Sequence, residues 1–271
     1  MGHDIATTIN YYNDPGDGTP PTPVYVGSTQ VTNERPMIPV TVTVTDVSGR
    51  EDQFTLDTHG FQYHTRPSAE EGFYDEHTIR TNYYPECEQL LKDVTCAALV
   101  LPFGHQVRRG PAHWHSLGQN NTNSRGPLHR AHVDQSYDGA VLRLREQFPD
   151  PAEAEKMMKG RWQIINAALA DATTVPDTDL VAASIIHTKT GRQQESWTVK
   201  PCPEATAVGG GGGHRWYFRY RQMPEQVVLI KCFDSDETVK ARRAVHCAVE
   251  DSGAGSGGNR ESVEVRCLVF Y

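Results

Sequence analysis

The side chains with the clearest capacity for chemistry are gathered in His129-Arg130-Ala131-His132-Val133-Asp134-Gln135-Ser136. His132 and Asp134 flank one residue, a spacing that sends both side chains to the same side of an extended strand. An imidazole nitrogen and a carboxylate oxygen set that way can take two adjacent positions on a metal. A second histidine would complete the two-histidine, one-carboxylate set that holds Fe(II) and leaves coordination positions open. His-x-Asp alone is a common pairing, so the rest of the chain has to supply the missing parts.

Three downstream histidines can close the site: His187, His214 and His246. Nothing cationic follows His187 at a suitable distance on a strand. His246 is better placed, after the apolar stretch 226–233 and before a final strand that opens with Arg260-Glu261-Ser262. A guanidinium fork matches a carboxylate bidentately, and a hydroxyl two residues on adds a hydrogen bond from the same face. Arg260 and Ser262 are therefore expected to hold the distal carboxylate of 2-oxoglutarate. Arg266, on the same face by parity, is the competing anchor. With Fe(II), 2-oxoglutarate and O2 supplying the oxidation, the protein needs only to orient the reactants and keep them dry. The lack of a Ser/His/Asp triad or of paired carboxylates is then no objection. His105 and Arg108, in the loop ahead of the first ligand, are expected to meet a substrate carboxylate, and Tyr217 to line the pocket.

The elements that must position these groups read mostly as strands. Residues 1–36 are rich in Pro, Gly, Thr and Asn and read as an extended N-terminal arm without regular structure. Val40 to Thr45 alternates apolar and polar as a half-buried strand does, and 52–56 reads as its return strand across the turn 46–50. A helix is expected at Cys87–Lys92, opened by Pro85. Ala97–Phe103 reads as a buried strand, and 104–130 as a long loop leading into His-x-Asp. Residues 138–160 form a helical insert, broken into two short helices by Pro149 and Pro151. Strands follow at 162–168, 180–187, 216–221, 226–233 and 261–270. The stretch 201–213, ending in five glycines, reads as a linker, because no Lys-Ser/Thr follows the glycines to make a phosphate loop. One domain spans 37–271, a mainly β core with appended helices.

Composition narrows the partners. The 271-residue chain carries 34 acidic against 26 basic residues, a net charge of −8, so no polyanionic partner such as nucleic acid is expected. No run of apolar residues is long enough to span a bilayer and there is no leader-like segment, so a cytoplasmic protein with no membrane partner is expected. The six cysteines form no C-x-x-C pair, which favours free thiols over disulfides or structural zinc.

Several segments, in order, resemble one family, the fungal gibberellin-desaturase-like oxygenases, which include CmcJ-, AsaB- and TqaL-type enzymes. The matching pieces are Phe54 to Gln62, Tyr83-Tyr84-Pro85-Glu86, His132 to Ser136, His214-Arg215-Trp216-Tyr217, Leu229 to Ser235, Ala241 to His246 and Arg260 to Arg266. The resemblance implies a double-stranded β-helix (jelly-roll, cupin-like) fold and Fe(II)/2-oxoglutarate dependence. It also implies hydroxylation, desaturation or oxidative ring closure of a small molecule such as an amino acid or other carboxylic acid. It favours His246 as third ligand, because the family's His-Thr-Ala-Phe-like motif falls at His246-Cys247-Ala248-Val249. The chain departs from the family where Asn-Val-Trp-Arg-Pro is expected and Asn166-Ala167-Ala168-Leu169-Ala170 stands instead, which detaches substrate identity from the resemblance. A metal-dependent oxygenase or isomerase that ignores 2-oxoglutarate, or an inactive barrel that binds a partner, are the competing readings.

Overall fold

The computed structural model describes residues 2–26, 35–109, 127–168, 171–173, 180–187, 190–202, 213–251, 253 and 261–271. Two sheets face one another in a double-stranded β-helix core. The larger contains β1 (Ile5–Tyr12), β2 (Val24–Val26), β3 (Met37–Asp46), β6 (His132–Val133), β8 (Asp171–Thr173), β9 (Leu180–His187), β10 (Gln193–Val199), β11 (Trp216–Phe218) and β13 (Val245–Cys247). Its order is β1-β3-β11-β8-β13-β6-β10-β9-β2. The smaller sheet contains β4 (Phe61–Thr65), β5 (Leu99–Arg108), β7 (Trp162–Ala168), β12 (Gln226–Asp234) and β14 (Ser262–Phe270), in the order β4-β12-β7-β14-β5.

Between the sheets lies a core that includes Ile9, Tyr11, Val44, Val133, Ile164, Trp216 and Leu268, all essentially inaccessible. A second apolar layer covers the outer face of the smaller sheet. There α3 (Tyr84–Thr95) lays Cys87, Leu90 and Leu91 against Ile165, Val265 and Val269. Pro85 sits in the first turn of α3, where its missing N–H is not needed. Each fully buried Leu, Ile or Val contributes roughly 1.5–3 kcal/mol, so both layers hold the smaller sheet flat against the site. Helices α4 (Tyr137–Gln147) and α5 (Pro151–Met158) occupy the stretch expected to be helical, and the Ser136 and Asp150 side chains cap their N-termini.

Three expectations about the elements need correction. The first residues are no irregular arm: β1 pairs along its whole length with β3, and β2 runs parallel beside β9. The reason is apolar, since Ile5, Ile9 and Tyr11 each bury in the core. No hairpin returns from β3, whose two neighbours are β1 and β11. Residues 51–53 make a 3-10 turn instead, and Thr55 accepts from the Thr58 N–H to start the short helix α1 (Leu56–His59); a second single-turn helix, α2 (Glu76–Thr78), follows β4. Finally, β5 does not stop at Phe103 but continues to Arg108, because β14 pairs with it from Leu99 to Arg108. Residues 110–126, 169–170, most of the glycine run and Arg260 lie outside the described residues.

A buried polar cluster anchors the segment that delivers His246. Lys231 Nζ donates to Asp57 and Asp234 at 2.7 Å each and to the Ala241 carbonyl at 3.1 Å. Arg161 Nη2 also reaches Asp57 and Asp234 at 2.7 Å. Both Lys231 and Asp234 are inaccessible, so neither charge can be left unpaired without heavy loss. Gly60, at φ 79°, closes α1 directly against this segment, and a Cβ there would lie 2.7 Å from the Arg243 carbonyl oxygen.

Candidate metal centre

Strand pairing, rather than sequence proximity, assembles the site. On the larger sheet β6 and β13 are adjacent, and His132 stands directly opposite His246. Opposed residues of an antiparallel pair share a face. The two rings accordingly lie with centroids 4.4 Å apart. Asp134, just past the end of β6, brings a carboxylate oxygen 3.5 Å from His132 Nε2. One donor atom from each of His132, Asp134 and His246 falls within 4.8 Å of the others.

The backbone fixes which nitrogen each histidine offers. His132 Nδ1 lies 3.0 Å from the Arg130 carbonyl and His246 Nδ1 lies 3.3 Å from the Ala244 carbonyl. With Nδ1–H donating to those oxygens, Nε2 of each ring keeps a lone pair for a cation. Burial and the nearby His246 push the His132 pKa down to about 4, against the pull of Asp134, so its ring is neutral at physiological pH. Burial alone would raise Asp134, but Arg266 above all overrides it and holds the carboxyl well below the usual range. Two imidazoles that present Nε2 and one carboxylate that stays ionised match the donor set that Fe(II) takes.

The facing sheet secures the carboxylate. On β14, Arg266 pairs with Asn166 on β7 and with Gly104 on β5, so all three share the inner face. Arg266 Nε donates to Asp134 Oδ2 at 2.8 Å, and Asn166 Nδ2 donates to the same oxygen at 2.9 Å. Arg266 Nε also lies 2.7 Å from Glu264 Oε1, so one guanidinium is shared by two carboxylates. With Oδ2 held by these donors, Oδ1 is the oxygen turned toward His132.

The other expected residues are distributed as follows. Arg108 shares its face with Ser262, its partner across β5 and β14, four residues along the strand from Arg266. By strand parity both share one face near the end of the smaller sheet; Arg108 borders the same cavity as His132 and Asp134, whereas Ser262 borders a separate cavity beside Val107 and Val263. His105 is a partial correction: it borders this cavity, but its ring lies on the opposite face of β5 from Gly104, with Nδ1 3.0 Å from the Tyr84 hydroxyl of α3. Tyr217 is another, since it packs among Phe54, His59 and Phe61, with ring centroids 5.0–6.4 Å away, and is not part of the cavity wall. His187 lies on the cavity wall, 3.2 Å from the Gln194 amide, and His214 Nδ1 lies 3.1 Å from the Tyr11 hydroxyl. Neither joins His132 and Asp134 among the described residues. Asn166 and Glu264 were not singled out from the sequence, and only the β7–β14 register reveals them.

The cavity bordered by His132 and Asp134 encloses about 310 Å³. Among the described residues that form it are Arg35, Arg130, Arg143 and Arg192, so its wall is rich in cations although the chain as a whole is acidic.

A family model described as an oxidoreductase/YMDC permease-like domain matches residues 9–270. Among the described residues no helix is long and apolar enough to cross a membrane. The hydroxylase/desaturase efuI of Hormonema carpetanum is 31% identical, over 98% of this chain and 95% of that protein. The alpha-ketoglutarate-dependent dioxygenase tstK of Talaromyces stipitatus is 28% identical, over 97% of this chain and 96% of that protein. The solved structure of the iron and alpha-ketoglutarate-dependent endoperoxidase NvfI superposes with a TM-score of 0.79 at 20% identity, covering 98% of each chain. With a matching family model over nearly its full length, and relatives of 30% identity or more along most of it, the chain belongs to the fungal hydroxylase/desaturase family of alpha-ketoglutarate-dependent oxygenases.

Proposed function

We propose that His132, Asp134 and His246 bind Fe(II), and that the protein oxidises an unactivated C–H bond of a small molecule in secondary metabolism. The outcome is hydroxylation, desaturation or ring closure. The observation that carries this reading is the meeting of three donor atoms within 4.8 Å, with both imidazoles oriented by backbone carbonyls. Bound iron, with 2-oxoglutarate and O2, supplies the oxidising power while 2-oxoglutarate is converted to succinate and CO2.

The chain's own residues position and insulate. His132 and His246 offer Nε2, and Asp134 offers Oδ1 while Arg266 and Asn166 keep its other oxygen occupied. Arg266 is already engaged by Asp134 and Glu264, so a third carboxylate there would meet two like charges. That favours Arg260 with Ser262 as the anchor of 2-oxoglutarate, and Arg266 as the residue that fixes Asp134. By strand parity Ser262 shares a face with Arg266, nearer the strand end, where a distal carboxylate would lie away from the metal. A substrate of the carboxylic-acid class suits a cavity wall bearing several guanidinium groups.

The test is succinate release from 2-oxoglutarate by Fe(II)-loaded protein, alongside metal content. His132→Ala and Asp134→Ala are expected to lose bound metal and succinate release together. Variants that keep both would remove the assignment.

A further inference from the structure

Of the buried side-chain polar atoms without a hydrogen-bond partner among the described residues, Gln135 Oε1, Arg143 Nε, Trp197 Nε1 and Thr198 Oγ1 all belong to residues on the wall of the metal-site cavity. Unpartnered buried polar atoms are uncommon in folded proteins, and four of them belong to residues along this one wall. Arg143 is the most telling of them. It stands on α4 with 8% of its surface exposed, its guanidinium carbon 5.1 Å from the centre of the Phe103 ring. Asp134 and Arg266 both act electrostatically on it, so it shares the metal site's field.

A second guanidinium converges on the same point. Arg192 precedes β10, and Gln194 of β10 lies between the two arginines. When the Gln194 amide is oriented to satisfy its neighbours, its nitrogen donates to His187 Nε2 at 3.2 Å and its oxygen accepts from both Arg143 Nη2 and Arg192 Nη2. One carbonyl oxygen thus occupies the focus of two cationic forks, a place suited to a carboxylate oxygen. Glu146 is the local counter-charge, bonded to Arg143 Nη1 and 3.9 Å from Arg192 Nε. Two guanidiniums against one carboxylate leave a net positive charge on this wall.

We infer that Arg143 and Arg192, with Gln194 between them, form an anion subsite that grips a carboxylate of the substrate while its reacting carbon is held at the metal. This rests on the reading of His132, Asp134 and His246 as the metal site, and it narrows the substrate to carboxylate-bearing small molecules. A ligand carboxylate replaces the Gln194 oxygen at the two forks. It adds the charge that Gln194 lacks, so an acid is bound in preference to the neutral amide of the same skeleton.

The experiment uses full-length protein loaded with Mn(II) and 2-oxoglutarate, without O2. Binding of a panel of small aliphatic and aromatic carboxylic acids, each paired with its primary amide, is read by ligand-observed NMR. Acids are expected to bind at least ~10-fold more tightly than their amides, the effect of one or two charge-assisted hydrogen bonds. Gln194→Glu places a carboxylate at the focus of the forks, so it should fold at least as stably, exclude the acids and spare the amides. Arg192→Gln, at an exposed position, should erase the preference for acids. Equal binding of acids and amides, no binding of any acid, or acids that still bind Gln194→Glu would overturn the subsite. So would a loss of 2-oxoglutarate affinity in Gln194→Glu, which would make the co-substrate the occupant. Failure of the parent reading is seen separately, in wild-type protein that binds no Mn(II) or releases no succinate with Fe(II).

Discussion

Replacing Arg266 with Met isolates what the smaller sheet does for the metal ligands. Arg266 is half-buried beside two carboxylates, 2.8 Å from Asp134 and 2.7 Å from Glu264. Burial works against its charge, but the two acids outweigh it and raise its pKa. Removing the guanidinium leaves both acids near each other with Asn166 as their remaining shared donor. Breaking a fully buried ion pair from one side costs about 3–5 kcal/mol; with the Arg266 side chain 27% exposed, solvent screens part of this, so the loss is roughly 2 kcal/mol, which in a chain of this size lowers Tm by roughly 5 °C. A divalent cation at Asp134 would offset part of the uncompensated charge. The variant should therefore gain more Tm than wild type when Mn(II) replaces chelator. The assay is thermal unfolding with EDTA and with saturating Mn(II), for wild type, Arg266→Met, Glu264→Gln and the double variant. Glu264→Gln should recover part of the loss in Arg266→Met, because it deletes one of the two orphaned charges. An Arg266→Met protein within ~1 kcal/mol of wild type in EDTA would refute the argument, as would a double variant with strictly additive losses.

Arg260→Ala should raise the 2-oxoglutarate KM by roughly 10- to 100-fold, the loss of a charge-assisted bidentate contact, while leaving Tm unchanged. The same KM change in Arg266→Lys, with none in Arg260→Ala, would reverse the two roles. Asp46 provides a test in pH. Its burial favours the neutral acid, but hydrogen bonds from Ser48, His3 and Tyr220 bring its pKa to about 2. Because the folded value is depressed below the unfolded one, the stabilisation is present above pH ~4 and disappears as pH falls toward 2. It amounts to roughly 2 kcal/mol, so urea midpoints of wild type and Asp46→Asn should converge across that window. Parallel pH profiles would contradict it. Gly60→Ala should destabilise by roughly 2–4 kcal/mol, combining left-handed backbone strain with overpacking against the Arg243 carbonyl. Because that carbonyl lies three residues before His246, Mn(II) affinity should fall as well, and unchanged affinity in the folded variant would disconnect the two.

Local features of this protein were legible from its residues. Side-chain alternation on a strand is a two-residue property, so His132 and Asp134 could be paired by inspection, as could the parity shared by Ser262 and Arg266. Pro85 announced α3, and the apolar run before Phe233 announced β12. What tertiary structure decided was register between distant strands. His246, His187 and His214 carry the same chemistry, and only the pairing of β13 with β6 sets His246 opposite His132. His105 and Arg108 looked alike as loop residues, yet once β5 pairs with β14 they belong to opposite faces. The meeting of Asp134 with Arg266 and Asn166 needs two sheets packed face to face, and of Arg143 with Arg192 a helix laid beside β10. Such contacts depend on burial and closure of the whole barrel, a cooperative property of the folded chain that no short window of sequence encodes.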